Sequence, residues 1–96
     1  MPKATRLNDN DTGHDACPAT ALSSASTNVI INGCGAGRVG DSYAPHGCIV
    51  HSPHSGTISS GSTTVFINSK QAGRISDSVS CGGSVAEGSS NVFIGG

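Results

Sequence analysis

Three short apolar runs stand out from an otherwise polar chain. They occupy residues 27–33, 63–69 and 90–96, and each sets Val, Ile or Phe between Thr, Ser, Asn and Gly. Short β-branched runs bounded by turn residues predict strands. A second pattern precedes each run. Residues 58–62 and 85–89 match well, and 22–26 is a weaker copy. A third pattern, Ala-Gly-Arg-x-x-Asp, follows the first two runs at 36–41 and 72–77. Its remaining copy lies at the opposite end of the sequence, at 4–9, as Ala-Thr-Arg-Leu-Asn-Asp. The chain thus starts and stops in mid-repeat. That arrangement predicts that the two ends meet and close a ring of three, which also hides the sheet edges a small β protein must protect. A meander of three hairpins without exact symmetry is the alternative.

Composition sharpens this picture. The sequence has 96 residues, with two Phe, one Tyr and no Trp. That length suits one domain, residues 1–96. A fold of this size buries roughly 60–70% of its unfolded surface. So thin a core calls for added support from a metal, disulfides or a partner. Few charges and recurrent β-branched runs argue against disorder and for a turn-rich all-β fold.

Charge and hydropathy restrict the partners. The net charge of −1 gives no basic field for nucleic acid or anionic lipid. The first residues lack the apolar stretch of a signal peptide, and no apolar run is long enough for a spanning helix. The expectation is a soluble chain made in the cytoplasm, with any export by a route that reads no N-terminal signal.

Four Cys (17, 34, 48 and 81) and four His (14, 46, 51 and 54) carry the chemistry. Without a secretory signal, metal ligation is favoured over a two-disulfide framework. The loop after each Asp presents a metal-competent residue at the same place. His14 lies five residues after Asp9, His46 five after Asp41, and Cys81 four after Asp77. Counted from the far end, His54 lies seven residues before Gly61 and Cys81 seven before Gly88. Cys81, in the shortest loop, therefore fills both positions. The first loop has Pro18 at its far position. The resulting set is His14, His46, His54 and Cys81, a closed tetrahedral complement for one structural Zn2+ that would tie all three loops together. His51 and His54, three apart, offer an alternative in which His51 replaces His46. Cys17 and Cys48 either pair as a disulfide or stay as loop thiols, and Cys34 is an ordinary surface or half-buried residue. Arg6, Arg38 and Arg74 each precede an Asp by three residues, which predicts a turn-anchoring pair; contact with a partner beneath the base is the other role open to them.

Signatures of catalysis are lacking. Gly33–Gly40 is glycine-rich but has no Lys-Ser/Thr pair, and no Gly-x-Ser-x-Gly elbow occurs. A small zinc-dependent hydrolase or thiol redox protein is the alternative function, and it would need an open metal site or a reactive thiol.

These features resemble the PAAR-repeat proteins, which cap the spikes of type VI secretion systems and contractile phage tails. The resemblance spans nearly the whole chain. It rests on the strand motif ending in Asn32-Gly33 and its copies, the Ala-x-Arg-x-x-Asp units, Gly13-His14 and Cys81-Gly82-Gly83. The name motif is degraded to Gly35-Ala36-Gly37-Arg38 and Gln71-Ala72-Gly73-Arg74. The resemblance implies a small cone of short strands with internal pseudo-threefold repeats and zinc near the tip. It implies a non-enzymatic protein whose flat base docks on a trimeric β-helical spike of the valine-glycine-repeat or phage tail-spike type. It further implies separate effector cargo as a possible passenger, residence in the cytoplasm until assembly on the spike, and transient contact with a target membrane during puncture.

Overall fold

In a computed structural model, the chain winds three times around a common axis. The structure describes residues 1–14, 17–48 and 51–96, without the side chains of 48 and 51–53. Among the described residues there are only short strands and no helix. Strand β1 (Ile30–Ile31) pairs antiparallel with β2 (Cys34–Gly35), and β5 (Phe66–Ile67) pairs with β6 (Lys70–Gln71) in the same register. Both turns, Asn32-Gly33 and Asn68-Ser69, have positive φ at their two central residues (52° and 80°; 54° and 67°). That is the type I′ geometry of two-residue hairpins, which explains Asn at the first place and Gly at one of the second.

The strands are shorter than the apolar runs that predicted them. The beginning of each run is instead wrapped around a buried serine. Ser26 Oγ accepts from Asn28 N and Val29 N, Ser62 Oγ from Thr64 N and Val65 N, and Ser89 Oγ from Asn91 N and Val92 N. These local side-chain bonds compete successfully with a ladder.

The ends meet as expected. Lys3 bridges Phe93, just as Gly35 faces Ile30 and Gln71 faces Phe66. The bond Ala4 N→Val92 O (3.0 Å) repeats Ala36 N→Val29 O (2.9 Å) and Ala72 N→Val65 O (3.0 Å). The N-terminal segment therefore supplies the return strand that the last run lacks. Thr5, Gly37 and Gly73 then close a circle of backbone bonds. Gly37 N donates to Thr5 O, Gly73 N to Gly37 O and Thr5 N to Gly73 O, at 2.9, 2.9 and 3.2 Å. Only one of the three positions carries a side chain. A Cβ at Gly37 would lie 2.7 Å from Thr5 Cγ2, and one at Gly73 would lie 3.1 Å from the same methyl. Thr5 itself is fully buried and donates from Oγ1 to Glu87 O at 3.0 Å.

Two apolar layers stack along this axis. The lower one joins Ala4, Ala36 and Ala72 to Ile31, Ile67 and Ile94, three copies of two positions. The upper one joins Leu22, Ile58 and Val85 to Tyr43 and Val79, with Cys81 packed against it. Each Arg-x-x-Asp unit forms the expected anchored turn. In all three, the carboxylate accepts from the Arg backbone N–H, from Nε and from a terminal guanidinium nitrogen, at 2.8–3.1 Å. The bonds to Asp hold each guanidinium pKa above its usual value. The other guanidinium nitrogen reaches the neighbouring hairpin turn: Asn32 from Arg6, Asn68 from Arg38, and the Gly95 carbonyl from Arg74. The molecule measures 37 × 24 × 22 Å.

Candidate metal centre

Beyond the upper layer the three loops converge. The first loop doubles back sharply, with His14 N donating to Cys17 O at 3.3 Å and Cys17 N to His14 O at 2.8 Å. The middle loop forms an antiparallel pair, β3 (His46–Cys48) against β4 (His51–His54), with His46 directly opposite His54 and a register shift between His46 and Cys48. Sequence patterning reads this segment as loop, because it shows no alternation of apolar and polar residues. The pairing brings the near and far positions of the loop face to face. The last loop is a tight turn, with Gly82 N donating to Val79 O at 3.0 Å, and it carries Cys81. Gly56 lies against the thiol; a Cβ there would sit 2.7 Å from Cys81 Sγ.

The structure brings His14, His46, His54 and Cys81 together, with their donor atoms all within 4.8 Å of one another. The three Nε2 atoms form a triangle with edges of 2.9, 2.8 and 3.0 Å. Hydrogen bonds alone do not satisfy such a triangle. A neutral ring's Nε2 is either a donor or an acceptor, so among three mutual contacts at least one must join two of the same kind. One shared cation resolves the conflict by taking a lone pair from each. The edges are somewhat shorter than the about 3.3 Å expected between nitrogens of a tetrahedral site with bonds near 2.05 Å.

The tautomer fits as well. His46 Nδ1 lies 2.7 Å from Pro18 O. A carbonyl only accepts, so Nδ1 bears the proton and Nε2 is left with its lone pair, the usual outer-shell arrangement of a ligating histidine. The residues present therefore suit a metal ion. The donor set would supply tetrahedral fixation of the three loops, with no side chain left over for other chemistry.

Other sequence candidates fall elsewhere. The side chains of His51 and Cys48 lie outside the described residues, so the choice between His46 and His51 rests on His46 facing the cluster. Cys17 is disulfide-bonded, whereas Cys34 and Cys81 are not. Cys34 is half-buried, in β2. Two contributors escaped the sequence reading. Pro18 occupies the far position of its loop, where the other loops place His54 and Cys81, and it acts through its carbonyl. Asp11 aligns with Tyr43 and Val79, each two residues after the turn Asp, and all three are buried. A carboxylate in a column of apolar residues was the available signal.

A family model, the PAAR motif, matches residues 51–96. The second half of the chain carries a PAAR motif. The matched segment holds His54 and Cys81 and includes a complete Ala-Gly-Arg-x-x-Asp unit, and the pseudo-threefold bonding carries the same pattern into residues 1–50. The motif supports, in general terms, the spike-tip role of this family in type VI secretion systems and phage tails. No curated protein matches the sequence.

Proposed function

We propose that this chain is a structural tip that caps and sharpens the trimeric β-helical spike of a type VI secretion system or contractile phage-like tail, and so helps puncture a target envelope. The observation that carries this reading is the apolar base. Ile30, Phe66 and Phe93 occupy the same place in the three repeats and are 56%, 57% and 47% exposed. Val29 and Val65 lie beside them, also exposed. Three equivalent apolar residues around a pseudo-threefold axis suit a partner that is itself threefold. Exposed apolar side chains that recur at equivalent positions offer a surface suited to a protein contact.

The ion is a single structural zinc held by His14, His46, His54 and Cys81. Three imidazoles and a thiolate fill a tetrahedral ion, which supports a role in stiffening and not in hydrolysis. A hollow of about 380 Å3 lies beside Lys3, Arg6 and Glu87, and none of the four donors lines it. The chain is made in the cytoplasm, stays there until it assembles on the spike, and is then driven outward, touching the target membrane in passing. Effector cargo rides on the same tip.

Co-purification with a trimeric spike protein from the same source tests the proposal. The expected result is one chain per spike trimer and one zinc per chain, with Phe66→Asp abolishing the complex while leaving the zinc. A Phe66→Asp variant that still caps the spike would remove the docking argument, and metal-free protein isolated without chelator would remove the zinc.

A further inference from the structure

One buried carboxylate has no evident counter-charge. Asp11 is 2% exposed, and its pseudo-threefold counterparts are Tyr43 and Val79. Its Oδ1 accepts from Gly13 N and from Thr20 N, both at 3.0 Å. Its Oδ2 is buried without a hydrogen-bond donor, and none of the ion pairs among the described residues includes it. Thr20 Oγ1 and the Tyr43 hydroxyl are buried and unbonded as well. Burying a carboxylate with two neutral donors and no cation is unfavourable unless positive charge lies close by.

The loop that Asp11 clamps leads directly to such a charge. Gly13 immediately precedes His14, and the segment between the two clamped N–H groups contains both His14 and Pro18, whose carbonyl orients His46. A divalent ion held by three neutral imidazoles and one thiolate keeps a net charge of +1. Cys81, the donor of that thiolate, packs on the apolar layer that includes Tyr43 and Val79. Asp11 belongs to the same tier by repeat position, and its negative charge helps push the Tyr43 phenol pKa upward, after burial itself.

We infer that Asp11 is a positioning residue and the buried counter-charge of the metal centre. Its Oδ1 fixes the loop that carries one ligand and the carbonyl behind another, and its charge offsets the +1 of the loaded site. This rests on the metal-centre reading above.

Two variants separate the functions. Asp11→Asn keeps an oxygen for both N–H bonds and removes the charge, whereas Asp11→Ala removes both. Zinc affinity is measured by competition with a chromogenic chelator, and thermal unfolding is followed with and without zinc. The expectation for Asp11→Asn is zinc binding weakened about tenfold, equivalent to about 1.4 kcal/mol, with metal-free unfolding unchanged or shifted upward because a lone buried charge is gone. Asp11→Ala is expected to lose more affinity and also to unfold earlier without metal. If Asp11→Asn is unfolded without metal, the zinc concentration that refolds it gives the same comparison. Zinc binding by Asp11→Asn within threefold of wild type overturns the inference and leaves the metal centre standing. Wild-type protein that takes up no zinc overturns both.

Discussion

Substitution of Gly37 by Ala tests whether crowding at the axis dictates the one-Thr, two-Gly arrangement. Gly37 has no positive φ, so Ala is acceptable to the backbone. The obstacle is space. The new methyl would lie 2.7 Å from Thr5 Cγ2 and 2.9 Å from Leu22 Cδ2, and both residues are fully buried. Overpacking of this kind costs about 1–3 kcal/mol. The lower entropy of the unfolded Ala chain offsets about 0.4–1 kcal/mol. The net loss is about 1–2 kcal/mol, which lowers Tm by roughly 5–15 °C in a domain of this size.

The partner substitution is Thr5→Ser, which deletes the obstructing methyl and keeps the Oγ1 bond to Glu87 O. Alone it leaves a small void and costs about 1 kcal/mol. Together, each change accommodates the other: the Ala methyl enters the space that Thr5 vacates, while its contact with Leu22 remains in both backgrounds and cancels. The double variant should therefore be more stable than the sum of the singles predicts, by about 1 kcal/mol. Urea unfolding of all four proteins at saturating zinc, read by circular dichroism, measures the cycle. Additivity within about 0.5 kcal/mol would refute axial crowding as the reason for glycine at position 37.

Two further tests address the layers on either side. Tyr43 is the single tyrosine, and burial, followed by the negative charges of Asp11, Asp9 and Asp77, raises its pKa. A raised folded pKa means that its contribution to stability is complete below the unfolded value of about 10 and is lost as pH climbs from there through the folded value. Tyrosinate absorbance should therefore appear together with alkaline unfolding, and Tyr43→Phe should flatten the loss; a reversible titration near pH 10 in folded protein would contradict this. In the Arg-Asp turns, Asp41→Ala strands the Arg38 backbone N–H and a guanidinium that is largely buried. The expected cost is about 2–3 kcal/mol, of similar size for Asp9→Ala and Asp77→Ala; a loss below 0.5 kcal/mol in calorimetry would demote the turns to surface ion pairs.

The repeats were legible because they recur in residue identity: Ala-x-Arg-x-x-Asp appears three times, and each copy makes the same bonds. Ring closure was legible for the same reason, since the copy missing after residue 96 stands at 4–9. The metal candidates followed from counting along equivalent loops. Strand length was not legible. Val29, Val65 and Val92 look like strand residues, but Ser26, Ser62 and Ser89 capture their N–H groups, and nothing in apolar patterning reports a serine three residues upstream. The β3–β4 ladder was hidden because its residues are His, Ser, Pro, Gly and Cys, which carry no period of two. Repeat counting places Pro18 at the far position of its loop, but residue type does not mark its role, because its contribution is a backbone carbonyl, a group every residue has.

Pseudo-symmetry also explains why three unequal repeats in one chain can do what three identical chains cannot. On the axis, three Thr would collide and three Gly would leave an empty channel; one Thr with two Gly fills it. At the ligand end, strict threefold symmetry offers donors in multiples of three, whereas a tetrahedral ion takes four. The chain meets that number by presenting His14 from one loop, His46 and His54 from the longer second, and Cys81 from the shortest. The outermost hairpin turns show the same substitution of function for identity, since the Gly95 carbonyl accepts from Arg74 and Ser62 where Asn32 and Asn68 use side-chain oxygens for Arg6 and Ser89 or Arg38 and Ser26. Symmetry is thus kept away from the axis, where Ile30, Phe66 and Phe93 repeat a surface, and broken wherever three copies must share one point. A chain built this way repeats one apolar surface around the axis and brings four unlike donors together at a single point, and only a sequence free to differ between repeats satisfies both conditions.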